Sequence, residues 1–133
     1  MLVYRYRGNW TRQIAIDNPD KCFLFGDNLA DAASGYVPSM TQAVIRGLPN
    51  AIGIPTKRTR WTDSSAYFTD ADFTEFCEYV DSAISRALNS GLAIVIPHAG
   101  IGTGKAQLPE RAPRCYQYLR SQLNWICQSR ENQ

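Results

Sequence analysis

The sequence predicts an α/β domain built on a mainly parallel mixed sheet. Three short runs, 21–25, 51–55 and 92–96, are almost wholly apolar without alternation. That is the pattern of strands covered on both faces, as in parallel sheets. Segments with helical spacing or helix punctuation separate and follow these runs, and such alternation builds a parallel sheet with helices packed on it. Each run also empties into a loop rich in glycine, small or polar residues: 26–37, 56–67 and 97–108. Ligands of open α/β sheets bind beyond the carboxyl ends of the strands, so these loops carry the functional expectation.

Residues 2–7 alternate apolar and polar side chains and read as a half-buried, antiparallel strand. Gly8-Asn9 is a turn signal, and 11–16 alternates again with Ile14 and Ile16 inward, as the hairpin partner. Residues 17–20 have turn chemistry throughout. The run 21–25 is the first parallel strand, closed by Gly26-Asp27-Asn28, and 29–37 is small and irregular. Pro38 near the start, Met40, Ala43 and Val44 at helical spacing and Gly47 as a stop predict a helix over 38–47. After the strand 51–55, the polar loop 56–67 is longer than a mere connection requires. Thr69 or Asp70 caps the next helix. Its apolar face runs through Phe73, Phe76, Cys77, Val80, Ile84, Ala87 and Leu88, and Asn89-Ser90-Gly91 ends it. The strand 92–96 leads to the glycine loop. Pro109 fits the first turn of a last helix that runs from residue 110 to about 127, with Tyr116, Leu119, Leu123 and Ile126 inward. A polar tail, 128–133, is expected to fray.

The 133 residues suit a single domain over 1–133. A net charge of +2 is too small for a non-specific nucleic-acid binder. One local basic cluster, Lys57, Arg58 and Arg60 beside Trp61, is either a solvated loop or a contact for phosphate or a base. With one histidine, and four cysteines at no metal-ligand spacing, the sequence predicts no metal site and no cofactor. The cysteines read as small buried hydrophobes. No apolar run approaches the ~18 residues of a membrane span, and the N-terminus lacks the apolar core of a signal peptide. The expectation is a cytoplasmic protein with no membrane partner.

The richest stretch is 97–113, PHAGIGTGKAQLPERAP. Gly100, Gly102 and Gly104 allow positive φ and close backbone approach to a ligand. Successive N–H groups in such a turn form a concavity suited to phosphate, and the following helix start adds free donors. The alternative is a plain strand-to-helix turn with glycines for packing. His98 is either a general base or a structural hydrogen-bonder. Asp27 with His98 forms a water-activating pair if their loops touch.

These motifs resemble a known family. Residues 102–109, GTGKAQLP, followed by Glu110-Arg111-Ala112, are similar to the second ligand-binding loop of macro domains, and Phe25-Gly26-Asp27-Asn28 is similar to their asparagine-bearing strand end. The ordered segments 25–29, 54–57 and 100–104 also resemble those of small bacterial and phage macro-like proteins. The resemblance spans roughly 22–119. It implies a three-layer α/β/α macro-like domain that binds ADP-ribose or a related nucleotide, with hydrolysis of ADP-ribosyl linkages in some members. Carried over by position, Asn28 lies near the distal ribose, and Gly102, Thr103 and Gly104 wrap the pyrophosphate. Asp27, Asn28 and His98 are the candidate catalytic residues. The ligand-binding candidates are Gly26, Thr56 and Lys57 on one side, with Gly100, Ile101, Gly102, Thr103, Gly104 and Lys105 on the other. The chain departs from the family at 32–40, where one glycine, Gly35, stands in place of a glycine run, and Tyr36 and Pro38 fill the space. A non-catalytic nucleic-acid or protein adaptor on the same scaffold, contacting through 57–61, is the alternative function. A structural protein with a vestigial pocket is a third.

Overall fold

Four strands lie side by side in the order β1-β4-β2-β3, all parallel, in a computed structural model that describes residues 2–130. They are β1 (Val3–Tyr6), β2 (Lys21–Asn28), β3 (Ala51–Lys57) and β4 (Ala93–Pro97). The expected mixed sheet is therefore corrected to a purely parallel one. β1 pairs with β4, Val3 opposite Ile94 and Tyr6 opposite Pro97, and its alternation has another cause than a hairpin. As an edge strand it buries Val3 and leaves Tyr4 and Tyr6 exposed. The expected hairpin partner is a helix, α1 (Arg12–Asp17). Thr11 decides this locally, because its hydroxyl accepts from the Ile14 N–H at 3.1 Å and caps the first turn. Ile16 of the supposed inward pair is exposed.

The near-continuous apolar runs have the reason the sequence offered: both faces of the central strands are covered. Cys22, Leu24, Ile52, Ile54, Ile94 and Ile96 belong to the larger core, with α3 (Phe73–Asn89) and α5 (Pro113–Arg130) above them. Phe23, Phe25 and Val95 face the other way, onto Trp10, Ala15 of α1, and Ala43 and Ile45 of a single 3-10 turn. Each large side chain fully buried in these clusters, such as Phe76 or Leu119, contributes about 2 kcal/mol of transfer free energy.

Several expected boundaries move for identifiable reasons. The helix expected over 38–47 shrinks to the 3-10 turn Gln42–Ile45, while the stretch read as irregular opens with α2 (Leu29–Ser34). Asn28 caps α2 and Gly35 closes it in the left-handed region at φ 80°. The last helix is two: α4 (Leu108–Arg111) stops where Ala112 precedes Pro113, a position disfavoured for helix, and α5 restarts at the proline. α5 continues to Arg130, so the tail expected to fray is helical over 128–130, and residues 131–133 lie outside the described residues.

One feature of the sheet positions the loops at its carboxyl end. β2 and β4 pair from Lys21 and Ala93 only as far as Phe23 and Val95, then part. Two side chains satisfy the polar groups exposed by the split. The Trp10 indole N–H donates to the Leu24 carbonyl at 2.8 Å, and Gln42 Oε1 accepts from the Gly26 N–H at 2.8 Å. The chain leaves β2 toward β3 and returns to β4 on the other side, so the split is also the switch point of the sheet, where ligand crevices form.

Candidate functional site

At the split lies a cavity of about 590 Å³, inside the range of roughly 300–1,000 Å³ usual for small-molecule sites. Gly26, Asp27 and Asn28 line it from the end of β2, and Thr56 and Lys57 from the end of β3. The glycine loop contributes Gly100, Gly102, Thr103, Gly104 and Lys105, and the strap after α2 contributes Tyr36, Pro38 and Met40. Four segments, the strap among them, therefore share one rim. Gln42, a residue without a sequence signal, ties two of them together: beyond the Gly26 bond, its Nε2 donates to the Gly100 carbonyl at 2.9 Å.

The glycine loop is held from below. Ile101 drops into the core, 2 % exposed, so it anchors the loop and does not face this cavity. Leu108 N–H donates to the Gly102 carbonyl at 3.0 Å, and the Thr103 hydroxyl donates to the Ala99 carbonyl at 3.1 Å. Gly100 and Gly102 take φ of 90° and 84°. Gly104 does not share that conformation, and a Cβ there would meet nothing within 4 Å, so the expectation of three left-handed glycines is corrected to two. The turn finishes on Gln107, a non-glycine residue at φ 52°. Among the described residues, the backbone N–H groups of 101–106 have no acceptor in the chain.

Charge around the rim is mostly committed on one side and free on the other. Asp27 and Arg46 form an ion pair with both side chains 7 % exposed, and Arg46 also donates to the Tyr36 carbonyl. Asp27 Oδ1 accepts from the Asn28 N–H at 2.7 Å as well. Gly53 makes room for this carboxylate: a Cβ there would sit 2.5 Å from Asp27 Oδ2. A glycine inside an apolar strand signals such a close approach, so this much was readable; Arg46 was not. Arg60 reaches Asp31 at 3.4 Å and lies over the Tyr36 ring at 3.8 Å. Lys57, 7 % exposed, has no carboxylate in ion-pair contact among the described residues. Its ammonium donates to the Trp61 carbonyl at 2.7 Å and sits 4.5 Å from the Tyr67 ring centroid. Burial first, then repulsion from Lys105 and Arg111, pushes the Lys57 pKa below its ordinary value of 10.5.

The expected catalytic trio is not assembled. Asp27 and Asn28 share this cavity, whereas His98, exposed, lines a separate one. Asn28 spends its amide on α2: Oδ1 accepts from the Asp31 N–H and Nδ2 donates to Asp31 Oδ2, both at 2.9 Å. The basic cluster is likewise no open patch. Arg58 is forked onto Glu75 and Asp72, at 2.8 and 2.9 Å, and only Arg60 and Trp61 of the cluster are exposed. Burial, with Asp70 second, pushes the Cys115 thiol up to about 11, so it stays protonated at neutral pH. Among the described residues, no group of three His, Cys, Asp or Glu side chains could hold a metal ion, and no helix is long and apolar enough to cross a membrane.

A family model described as a family of unknown function, DUF7831, matches residues 5–122, and it carries no macro-domain assignment. No curated protein and no solved structure matches the chain.

Proposed function

The chain belongs to DUF7831, a family of unknown function, and from the geometry of its site we propose that it binds an ADP-ribose-like nucleotide on a macro-like scaffold. The observation that carries this reading is the row of backbone N–H groups over 102–106, which find no acceptor among the described residues and belong to residues that line the cavity at the switch point. Such a row favours a doubly charged diphosphate, whose oxygens accept from successive amides without a dedicated side chain. Lys57 and Lys105 add charge at the same rim, and a bound phosphate would relieve their mutual repulsion. The cavity's volume of about 590 Å³ leaves room for a base and ribose beside the diphosphate, and the strap that carries Tyr36 and Met40 lines it.

Hydrolysis has less support than binding. The Asp27 carboxylate is engaged by Arg46, and His98 lies on another cavity, so no base is poised on a water at this site. The adaptor reading has less support still, because Lys57 is buried and Arg58 is locked to α3. Titration calorimetry with ADP-ribose tests the proposal. Saturable binding that falls at least tenfold in Gly104→Val supports it, because a Cβ there meets nothing within 4 Å and the added methyl groups would take up space beside the loop. Absence of saturable heat with ADP-ribose contradicts it.

A further inference from the structure

We propose that a second cavity, flanking the same glycine loop, binds an organic oxyanion carried on an apolar body. This cavity measures about 430 Å³ and shares Ala99, Gly100 and Thr103 with the first. Its charged lining has one sign. Arg5 enters from β1 and Arg120 from α5, His98 stands at the loop, and no carboxylate lines it. The first cavity differs, since Asp27 and Asp31 there neutralise two of its cations.

Among the described residues, neither guanidinium meets a carboxylate where it stands. Arg5 donates, among the described residues, only to the Cys127 sulfur, at 3.3 Å, which is a weak acceptor. Arg120 is exposed and, among the described residues, has no ion-pair or hydrogen-bond partner. Two arginines facing one concavity repel, and an oxyanion between them offsets that repulsion while accepting two forked donors. Asn124 and Tyr116 supply neutral polar groups beside them. The floor is apolar, formed by Ile96, Leu119 and Leu123, so the favoured occupant pairs its anionic head with an aryl or alkyl body.

The full chain, labelled with 15N, is titrated by NMR with phenyl phosphate, benzoate, inorganic phosphate and phenol. The expected result is saturable shifts at His98, Arg120 and Asn124 with phenyl phosphate or benzoate, the tighter of the two identifying the oxyanion. Inorganic phosphate and phenol, each lacking one half of the ligand, bind at least tenfold more weakly. Arg120→Gln, a surface change that keeps the folded spectrum, weakens binding by about ten- to a hundredfold, the range for losing a charged hydrogen bond, and Arg5→Gln does so independently. The proposal is overturned if no saturable shift appears at these residues, if the shifts fall instead at 26–28 and 101–106, or if Arg120→Gln binds unchanged.

Discussion

Gly102 and Gly104 stand two positions apart and answer to different constraints. Gly102 is left-handed, and an added Cβ would lie 2.5 Å from Leu108 Cδ1. Gly102→Ala is therefore expected to cost about 2–3 kcal/mol in urea unfolding, from backbone strain plus overpacking. Gly104→Ala should stay within about 0.5 kcal/mol of the parent, since neither constraint applies. The sequence showed that glycines cluster here but could not say which of them the turn requires, because that depends on where Leu108 returns. The same holds for Asp27. Its place near a strand end was legible, although β2 runs on through Asn28 and does not close at Gly26; its partner Arg46, nineteen residues on, emerged only with the fold. Asp27→Ala leaves Arg46 buried and unpaired and should cost about 3–5 kcal/mol, whereas adding Arg46→Met should recover much of that loss, a coupling read from a double-mutant cycle.

At the scale of elements, local chemistry and tertiary context divide the work. The two inner strands, β2 and β4, the edge strand β3 and α3 were legible because short apolar runs and a long amphipathic period leave few alternatives. β1 and α1 were misread because a two-residue alternation is shared by hairpins, edge strands and short capped helices, and only the pairing of β1 with β4 resolves it. α2 depends on its Asn28 cap, so Asn28→Ala should cost about 1 kcal/mol and loosen α2, visible as faster amide exchange over 29–34. The loop after β3 is tied to α3 by Arg58. Its hydrogen bonds hold the Glu75 carboxyl below the ordinary value of 4.5, with Tyr79 assisting. A depressed carboxylate pKa contributes stability that is complete above the unfolded value and is lost as pH falls through the folded one. Unfolding from pH 6 to pH 3 should therefore lose less stability in Arg58→Gln than in the parent.

For the whole molecule, the function proposed rests on topology more than on any single residue. In the all-parallel sheet ordered β1-β4-β2-β3, β4 and β2 pair only as far as Val95 and Phe23, and beyond that point Gly26 and Gly100 are bridged by Gln42. The loops that the sequence marked as glycine-rich or polar converge there because the carboxyl ends of parallel strands all lie at one end of the sheet. The contribution of Gln42 was not legible, since a single polar side chain carries no periodic signal; Tyr36 and Arg60 stood out in the sequence, but their stacking on each other emerged only with the fold. The central claim is that the amides of 102–106 receive a diphosphate. A crystal structure with ADP-ribose bound tests it most directly. The account predicts diphosphate oxygens within about 3 Å of those amides, beside Lys57. A diphosphate lodged elsewhere on the chain, or crystals that take up no ADP-ribose at saturating concentration, would contradict it.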